Sequence, residues 1–436
     1  MFKTLKNAFK VKEIRGKIFM TLLFILIYRI GCYIPVPGIG MGLFADELNN
    51  VSYLQILSMM SGGALENGTW FAMGIGPYIN ASIIIQLLAV AIPALERMAK
   101  QGEEGQKKIA KLTRYGAVIL AVIQSIGILI SFNQYLFISE ATPFVQLLFG
   151  QRWLAYVIIV LFYAAGSLIT AWIGERITEY GVSDGISLLI FVGILASAGN
   201  YLYNLITTFV SQGFDLNLFW KLIFFIVAIV VIFGAIVWVE LAERKVPVQY
   251  AKQVKGGKMY GGQSTVIPIK VNANGVMPLI FAYSILSFPE LIMTMFWPNS
   301  GFYIWWRTYM GTQSWLYMFV LTLFIFFFAF FYAKIQFNPE DISKSIQQNG
   351  GYILGIRPGR PTADYLRRIQ NRITFFGAIF LALVALVPAI VFRLIDQGSQ
   401  AMFTATGLLI CVSVALEFNT ALESQIMMKN YKGFLK

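Results

Sequence analysis

The side chains that most often do chemistry are scarce in this sequence, and their spacing excludes most enzymatic equipment. Histidine is absent altogether, which removes the commonest metal ligand and general base. Cys32 and Cys411 each sit inside an apolar run. They offer no CxxC spacing and no disulfide framework, and they read as small core residues. No GxxxxGK[ST] phosphate loop occurs, so the energy for any work must come from elsewhere. Charged residues are almost missing from the middles of the long apolar runs; Arg29, Glu240, Glu290 and Glu417 lie nearer their ends. A charge at the bilayer centre costs roughly 2.5–3.5 kcal/mol on insertion scales, so a proton relay would stand out, and none does. No catalytic residue, metal site or cofactor is expected.

What the centres of those runs carry instead is isoleucine. Ile79 and Ile83 are spaced i, i+4, and Ile186 and Ile190 repeat the spacing; Ile280 and Ile410 lie on two further runs. Residues so spaced share one helix face. In a membrane helix such residues usually face lipid or pack, and on their own they say little. A ring of apolar side chains can also close a pore by dewetting without holding a passing chain.

The elements that would position these residues follow from the hydropathy. Of 436 residues 58% are hydrophobic and 13% charged, about half the charge of an ordinary soluble domain. One soluble core cannot absorb that much apolar surface, so a bilayer is the natural solvent. Runs of about 20 mostly apolar residues mark ten expected spans: 18–35, 74–93, 114–133, 153–173, 184–206, 218–239, 275–296, 314–333, 374–395 and 401–419. The basic stretch 1–17 precedes a run without a small-residue cleavage site, which reads as a retained first span. Of the 34 Lys and Arg residues, 29 fall on the side that holds both termini. That bias places both termini in the cytoplasm and accounts for the net charge of +13 without nucleic acid.

Two cytoplasmic loops, 241–272 and 334–372, exceed ordinary connection lengths. The first carries Arg244, Lys245, Lys252, Lys255 and Lys258; the second carries Gly355-Ile-Arg-Pro-Gly359 and Arg360. They fit orientation anchors by charge alone, and a docking platform by length and turn chemistry. Ten spans also divide into two five-span halves, 1–212 and 213–436. The second span of each half opens with glycine and proline, as Gly74-Ile-Gly76-Pro77 and Gly275-Val-Met-Pro278. Matching interruptions of this kind point to a pathway at an inverted-repeat interface. Ahead of the first lies the segment 54–66, too short to cross a membrane. It suits a short re-entrant helix or an amphipathic helix lying on the surface. These features leave three classes open: a polypeptide channel, a secondary transporter for a small apolar or amphipathic solute, and a structural scaffold without a pore.

Several stretches taken together resemble the SecY family, the channel subunit of the protein translocase. They are Ser61-Gly-Gly-Ala-Leu65, Gly76-Pro-Tyr-Ile-Asn-Ala-Ser-Ile-Ile-Ile-Gln-Leu-Leu88, Thr113-Arg-Tyr-Gly116, Gly174-Glu-Arg-Ile-Thr-Glu179, Asp184-Gly-Ile-Ser187, Gln263-Ser-Thr265 and Gly355-Ile-Arg-Pro-Gly359. The resemblance covers nearly the whole chain in order, apart from the outer segments 134–152 and 297–313. It implies an all-α, ten-helix membrane protein with two inverted five-helix halves around an hourglass pore. The constriction would be Ile79, Ile83, Ile186, Ile190, Ile280 and Ile410. The plug would be 54–66, including Leu57, Met59, Met60, Ser61, Gly62, Gly63, Ala64 and Leu65. Gln86 and Asn272 match gating positions of a lateral gate formed by spans 2 and 3 facing spans 7 and 8. Arg357 matches a motor-contact arginine in the second loop. The implied partners are SecE and SecG, the SecA ATPase, the ribosome, signal peptides, unfolded polypeptide and membrane lipid, in a bacterial plasma membrane.

Overall fold

The computed structural model describes residues 2–37, 39, 52–99, 101–136, 152–212, 216–250, 253–255, 258–260, 264–272, 275–297, 300–311, 314–394 and 400–433. They fall into two compact units. One comprises Met1–Phe224, Ser284–Ser314 and Ile410–Lys436; the other comprises Phe225–Tyr283 and Trp315–Leu409.

Helices lie at all ten positions where spans are expected. In chain order they are α1 (Phe2–Lys10), α2 (Lys12–Gly31), α3 (Ser52–Ser61), α4 (Gly76–Ala91), α5 (Pro93–Ala99), α6 (Glu103–Leu136), α7 (Arg152–Tyr180), α8 (Gly185–Gln212) and α9 (Leu216–Glu240). After the first long loop come α10 (Met277–Phe296), α11 (Gly301–Tyr309), α12 (Trp315–Gln336), α13 (Pro339–Gln348), α14 (Arg360–Leu394) and α15 (Gln400–Gly433). Among the described residues four segments are long and apolar enough to cross a membrane: Glu104–Ile130, Tyr156–Tyr180, Trp315–Gln348 and Arg360–Val387. A fifth is the broken pair α4 and α5, bent by 108°. The break falls at Ile92, whose backbone is extended (φ −106°, ψ 115°). Pro93 dictates this, because a residue before proline is pushed out of the helical region.

The two Gly-Pro openings share one local grammar. Gly74 has φ +50° and Gly275 has φ +58°, and each stands two residues ahead of its helix, α4 or α10. Both are conformations that suit glycine. Pro77 and Pro278 are then the second residues of those helices, where the missing N–H costs nothing.

The long loops correct the expectation of an all-α chain. The first folds into β1 (Glu243–Tyr250), β2 (Gln253–Lys255), β3 (Lys258–Tyr260) and β4 (Ser264–Lys270). The second supplies β5 (Gly351–Tyr352). β4, β1 and β5 form one antiparallel sheet in that order, while β2 and β3 form a separate ribbon. The β1–β4 register runs from Glu243↔Lys270 to Gln249↔Ser264, and Gln249↔Tyr352 joins the loops. The cause is a period of two: Val246 and Val248 are buried while Lys245 and Pro247 are exposed, the pattern of a strand with one covered face.

Candidate functional site

In the first unit the segment 54–66 is a seated helix and turn. α3 buries Leu54 and Leu57, and the turn buries Ala64 and Leu65. Leu54, Leu57 and Leu65 pack in one cluster with Val36, Met73, Ile128, Leu129, Ile159 and Tyr163, which come from α6, α7 and the flanking loops. Met59 and Met60 are half-buried, and Ser61 is fully buried. The helix ends in two left-handed glycines, Gly62 (φ +72°) and Gly63 (φ +83°), a common helix C-terminal device. Their amides return to the helix, Gly62 N donating to the Met59 carbonyl and Gly63 N to that of Ser58 (2.9 Å). Glu66 accepts from Ser58 Oγ at 2.9 Å, tying the turn to the helix. The segment is therefore a helix and turn packed inward against the helices around it.

This helix touches two of the isoleucine-bearing helices. A Cβ on Gly76 would come 2.8 Å from Leu57 Cδ1, and a Cβ on Gly193 would overlap the Met60 carbonyl. Gly76 lies one turn ahead of Ile79 on α4, and Gly193 lies one turn beyond Ile190 on α8. Ile79, Ile83 and Ile190 are buried and Ile186 half-buried. Ile410 is buried in the first unit and Ile280 in the second.

The start of α8 is fixed by residues of the stretches 174–179 and 184–187, which carry the family resemblance. Asp184 caps it, accepting from Ser187 N at 3.2 Å and Ser187 Oγ at 2.6 Å. Such a cap satisfies a backbone amide that has no partner within the helix. Gly185 N donates to Thr178 Oγ1 at 2.8 Å, and a Cβ at Gly185 would overlap the Gly174 carbonyl. Arg114 of α6 pairs with Glu175 of α7 at 2.7 Å. The DGIS stretch is a cap signature legible in the sequence.

Of the two gating candidates, Gln86 donates from Nε2 to Ser82 Oγ on its own helix at 3.1 Å. Asn272, in the second unit, is buried and donates to Glu240 Oε1 at 2.7 Å. It sits between β4 and α10 and ties the end of α9 to the start of α10. The pairing with Glu240 carries no sequence signal.

Also in the second unit, the sheet carries its own core. Val246, Val248, Ile269, Ile346, Ile353 and Leu366 pack together, flanked by Phe337, Ile342, Ile356 and Tyr365. α13 is held at both ends. Asn338 caps it by accepting from Glu340 N at 3.1 Å, with Pro339 following. Gly350 (φ +70°) then turns the chain into β5. The loop bearing Arg357 is fixed by glycines at both edges, Gly355 (φ +80°) and Gly359 (φ +97°). Ser343 Oγ donates to the Gly359 carbonyl at 2.6 Å, and Thr362 Oγ1 donates to that of Arg357 at 2.9 Å. Arg357, Arg360, Arg244 and Lys245 are exposed. Lys245 meets Glu243 at 3.2 Å, a surface pair that contributes little to stability. Lys255 and Lys258 are backbone partners at the end of the β2–β3 ribbon. Lys252 lies outside the described residues, as do Gly256-Gly257, Gly261-Gly262 and most of 134–152. Gln370 of α14 donates to the Ala333 carbonyl near the end of α12, joining the platform to those two helices.

Long apolar helices, a bent apolar helix pair and a short helix packed inward mark a multi-pass membrane protein. The SecY family model matches residues 69–419. The protein translocase subunit SecY of Halalkalibacterium halodurans is 40% identical over 442 residues, with 100% of both chains covered. Two solved structures share the fold. One is a SecY protein whose plug domain is described as stabilising the closed state of the translocation channel and maintaining a membrane seal. It gives a TM-score of 0.66 at 19% identity, covering 94% of this chain and 92% of that one. The other is Sec61 in the canine ribosome-channel complex from the endoplasmic reticulum, with a TM-score of 0.61 at 17% identity, covering 94% and 92%. This chain belongs to the SecY family.

Proposed function

We propose that this protein is the central protein-conducting channel of a bacterial Sec translocase. It moves unfolded secretory polypeptides across the plasma membrane and releases membrane segments sideways into lipid. The observation that carries the reading is the seat of α3, which packs against α4 and α8 one helical turn from Ile79 and Ile190. A transporter of small solutes would place polar or charged ligands there. Here the turns of α4 and α8 that meet α3 run on to isoleucines, and the residues they meet are Leu57 and the Met60 backbone.

In this reading ten spans cross the membrane with both termini in the cytoplasm, as inverted halves 1–212 and 213–436. Ile79, Ile83, Ile186, Ile190, Ile280 and Ile410 form the constriction of an hourglass pore. Their side chains offer no fixed hydrogen bond, so the ring passes any sequence while resisting wetting when empty. A signal peptide supplies an apolar helix to the lateral gate beside Gln86 and Asn272. Its greater affinity for the opened gate shifts the equilibrium towards open, with about 0.8 kcal/mol for each methylene moved out of water. The plug then leaves its seat and the chain threads the ring. No step needs a catalytic side chain or a cofactor.

Docking falls to the platform. The SecA ATPase contacts Arg357, a planar, permanently charged donor on a rigid loop. A ribosome contacts Arg244, Lys245, Lys252, Lys255, Lys258 and Arg360, where phosphates give strong, salt-sensitive attraction. The likeness to Sec61 in a ribosome-channel complex supports this partner. SecE and SecG complete the membrane assembly.

The test is a crosslink between a stalled secretory chain and Ile83→Cys or Ile280→Cys, with Cys32 and Cys411 changed to Ser. A strong signal-dependent crosslink at both positions is expected. A membrane-engaged stalled chain that crosslinks at neither places the pathway elsewhere.

A further inference from the structure

The four backbone carbonyls that close α3 are those a helix C-terminus leaves without intrahelical partners. Here the carbonyls of Ser58, Met59 and Ser61 accept from the turn that follows, from Ser61 Oγ, from α8 and from the residue past α2. The Ser58 carbonyl accepts from Gly63 N at 2.9 Å and from Ser61 Oγ at 3.0 Å. The Met59 carbonyl accepts from Ser197 Oγ of α8 at 3.2 Å. The Met60 carbonyl lies against the backbone of Gly193, also on α8, where a Cβ would overlap it. The Ser61 carbonyl accepts from Cys32 Sγ, just past the end of α2, at 3.7 Å. Beside this end stands Arg29 of α2. Its Nη1 is buried, forms no hydrogen bond with any described residue, and occupies the space that a Cβ on Gly62 would need. The rest of its guanidinium lies over the Tyr33 ring, 5.6 Å from the centroid.

A cation at the negative end of a helix is stabilising, most of all where it is partly buried. Among the described residues Nη1 has no hydrogen-bond partner. Besides the Tyr33 ring, the guanidinium faces the carbonyl end of α3, and that second interaction exists only while α3 is seated. We propose that Arg29, with Cys32 and Ser197 beside it, is the latch of the resting channel. Arg29 is a positioning residue whose charge holds the C-terminal end of α3 in place, and its loss shifts the equilibrium towards a displaced plug. The proposal rests on reading 54–66 as a plug.

The test uses the full-length chain in proteoliposomes, with Cys411→Ser in every variant. Two readouts are taken without substrate: ion conductance, and the fraction of channels forming a disulfide between Cys32 and Ser61→Cys under mild oxidation. Arg29→Gln is expected to raise resting conductance roughly tenfold, to lower the disulfide fraction, and to lose the leak once the disulfide is closed. Arg29→Lys, keeping the charge, is expected to leave both readouts near the parent. Ser197→Ala removes only the hydroxyl on Met59 and is expected to move both in the same direction by less, so the test stands if Arg29→Gln fails to fold. A folded Arg29→Gln with parental conductance, alongside a leaking deletion of 57–65, overturns the latch and keeps the plug. A deletion that does not leak overturns both.

Discussion

Leu65→Ala separates a movable plug from a fixed piece of core. Leu65 is 0% exposed and packs among Leu54, Leu57, Val36, Met73 and Tyr163. Truncating a leucine so placed costs about 2–5 kcal/mol, from lost burial and from the cavity left behind. If the plug leaves its seat on opening, that cost falls on the closed state alone, because the displaced segment has already given up those contacts. Taking about 3 kcal/mol, the equilibrium between seated and displaced moves roughly a hundredfold. A resting channel displaced on the order of one part in a thousand then becomes displaced about one part in ten. The assay is single-channel conductance in a planar bilayer without substrate, with a thermal melt of the same preparation. A large rise in open probability is expected, together with a fall in melting temperature, because the seated state remains the majority state and still bears the lost packing. A melting temperature that falls by the full cavity cost, with conductance unchanged, would refute the reasoning, since Leu65 would then be ordinary static core.

Three further outcomes follow from the other parts of the site. Replacing Ile83, Ile190, Ile280 or Ile410 by Asn puts a hydrogen-bonding group into an apolar constriction, and export of substrates with defective signals is expected to rise; unchanged export in all four variants counts against the ring. Arg357→Glu reverses the exposed charge of the second loop and is expected to abolish most motor-driven export while sparing ribosome-coupled insertion, compared in vesicles; equal loss of both would indicate misfolding. Gly359→Ala keeps every charge but forces φ +97° on a residue with a Cβ, at a cost of roughly 1–3 kcal/mol. It is expected to weaken SecA binding several-fold by loosening the Arg357 loop, read as a Kd shift, and parental affinity would show that loop rigidity is not used.

The helices were legible because their signal is long and one-dimensional: about 20 apolar residues in a row leave little choice of element. The glycine and proline openings of α4 and α10 were legible for a related reason. Each residue restricts its own backbone, and the effect needs no distant partner. The sheet was not seen, although Val246 and Val248 alternate with Lys245 and Pro247. The basic residues and turn chemistry pointed to loops, and β5 is only two residues long. Its pairing joins positions about a hundred residues apart, as Gln249↔Tyr352. The residues that seat α3 were invisible for the same reason. Ser197 is an ordinary serine in an apolar run, Gly193 an ordinary glycine, and Cys32 was read as a small core residue. Each matters because of one carbonyl far away in sequence.

That division bears on how the channel is built. The isoleucines carry no polar partner in their own side chains, so nothing chemical fixes them. Their placement must come from backbone contacts on the helices that bear them. α8 shows both kinds within about ten residues: Asp184, Thr178 and Gly174 fix its start ahead of Ile186, and Gly193 meets the plug just beyond Ile190. A glycine at each contact lets backbone approach backbone, and that contact is insensitive to whatever chain passes alongside. A pore that must accept any sequence gains from this arrangement. Under the proposed function, polar groups sit at the cap, at the α3 carbonyls and at Arg357, and the isoleucines proposed to line the pathway carry none.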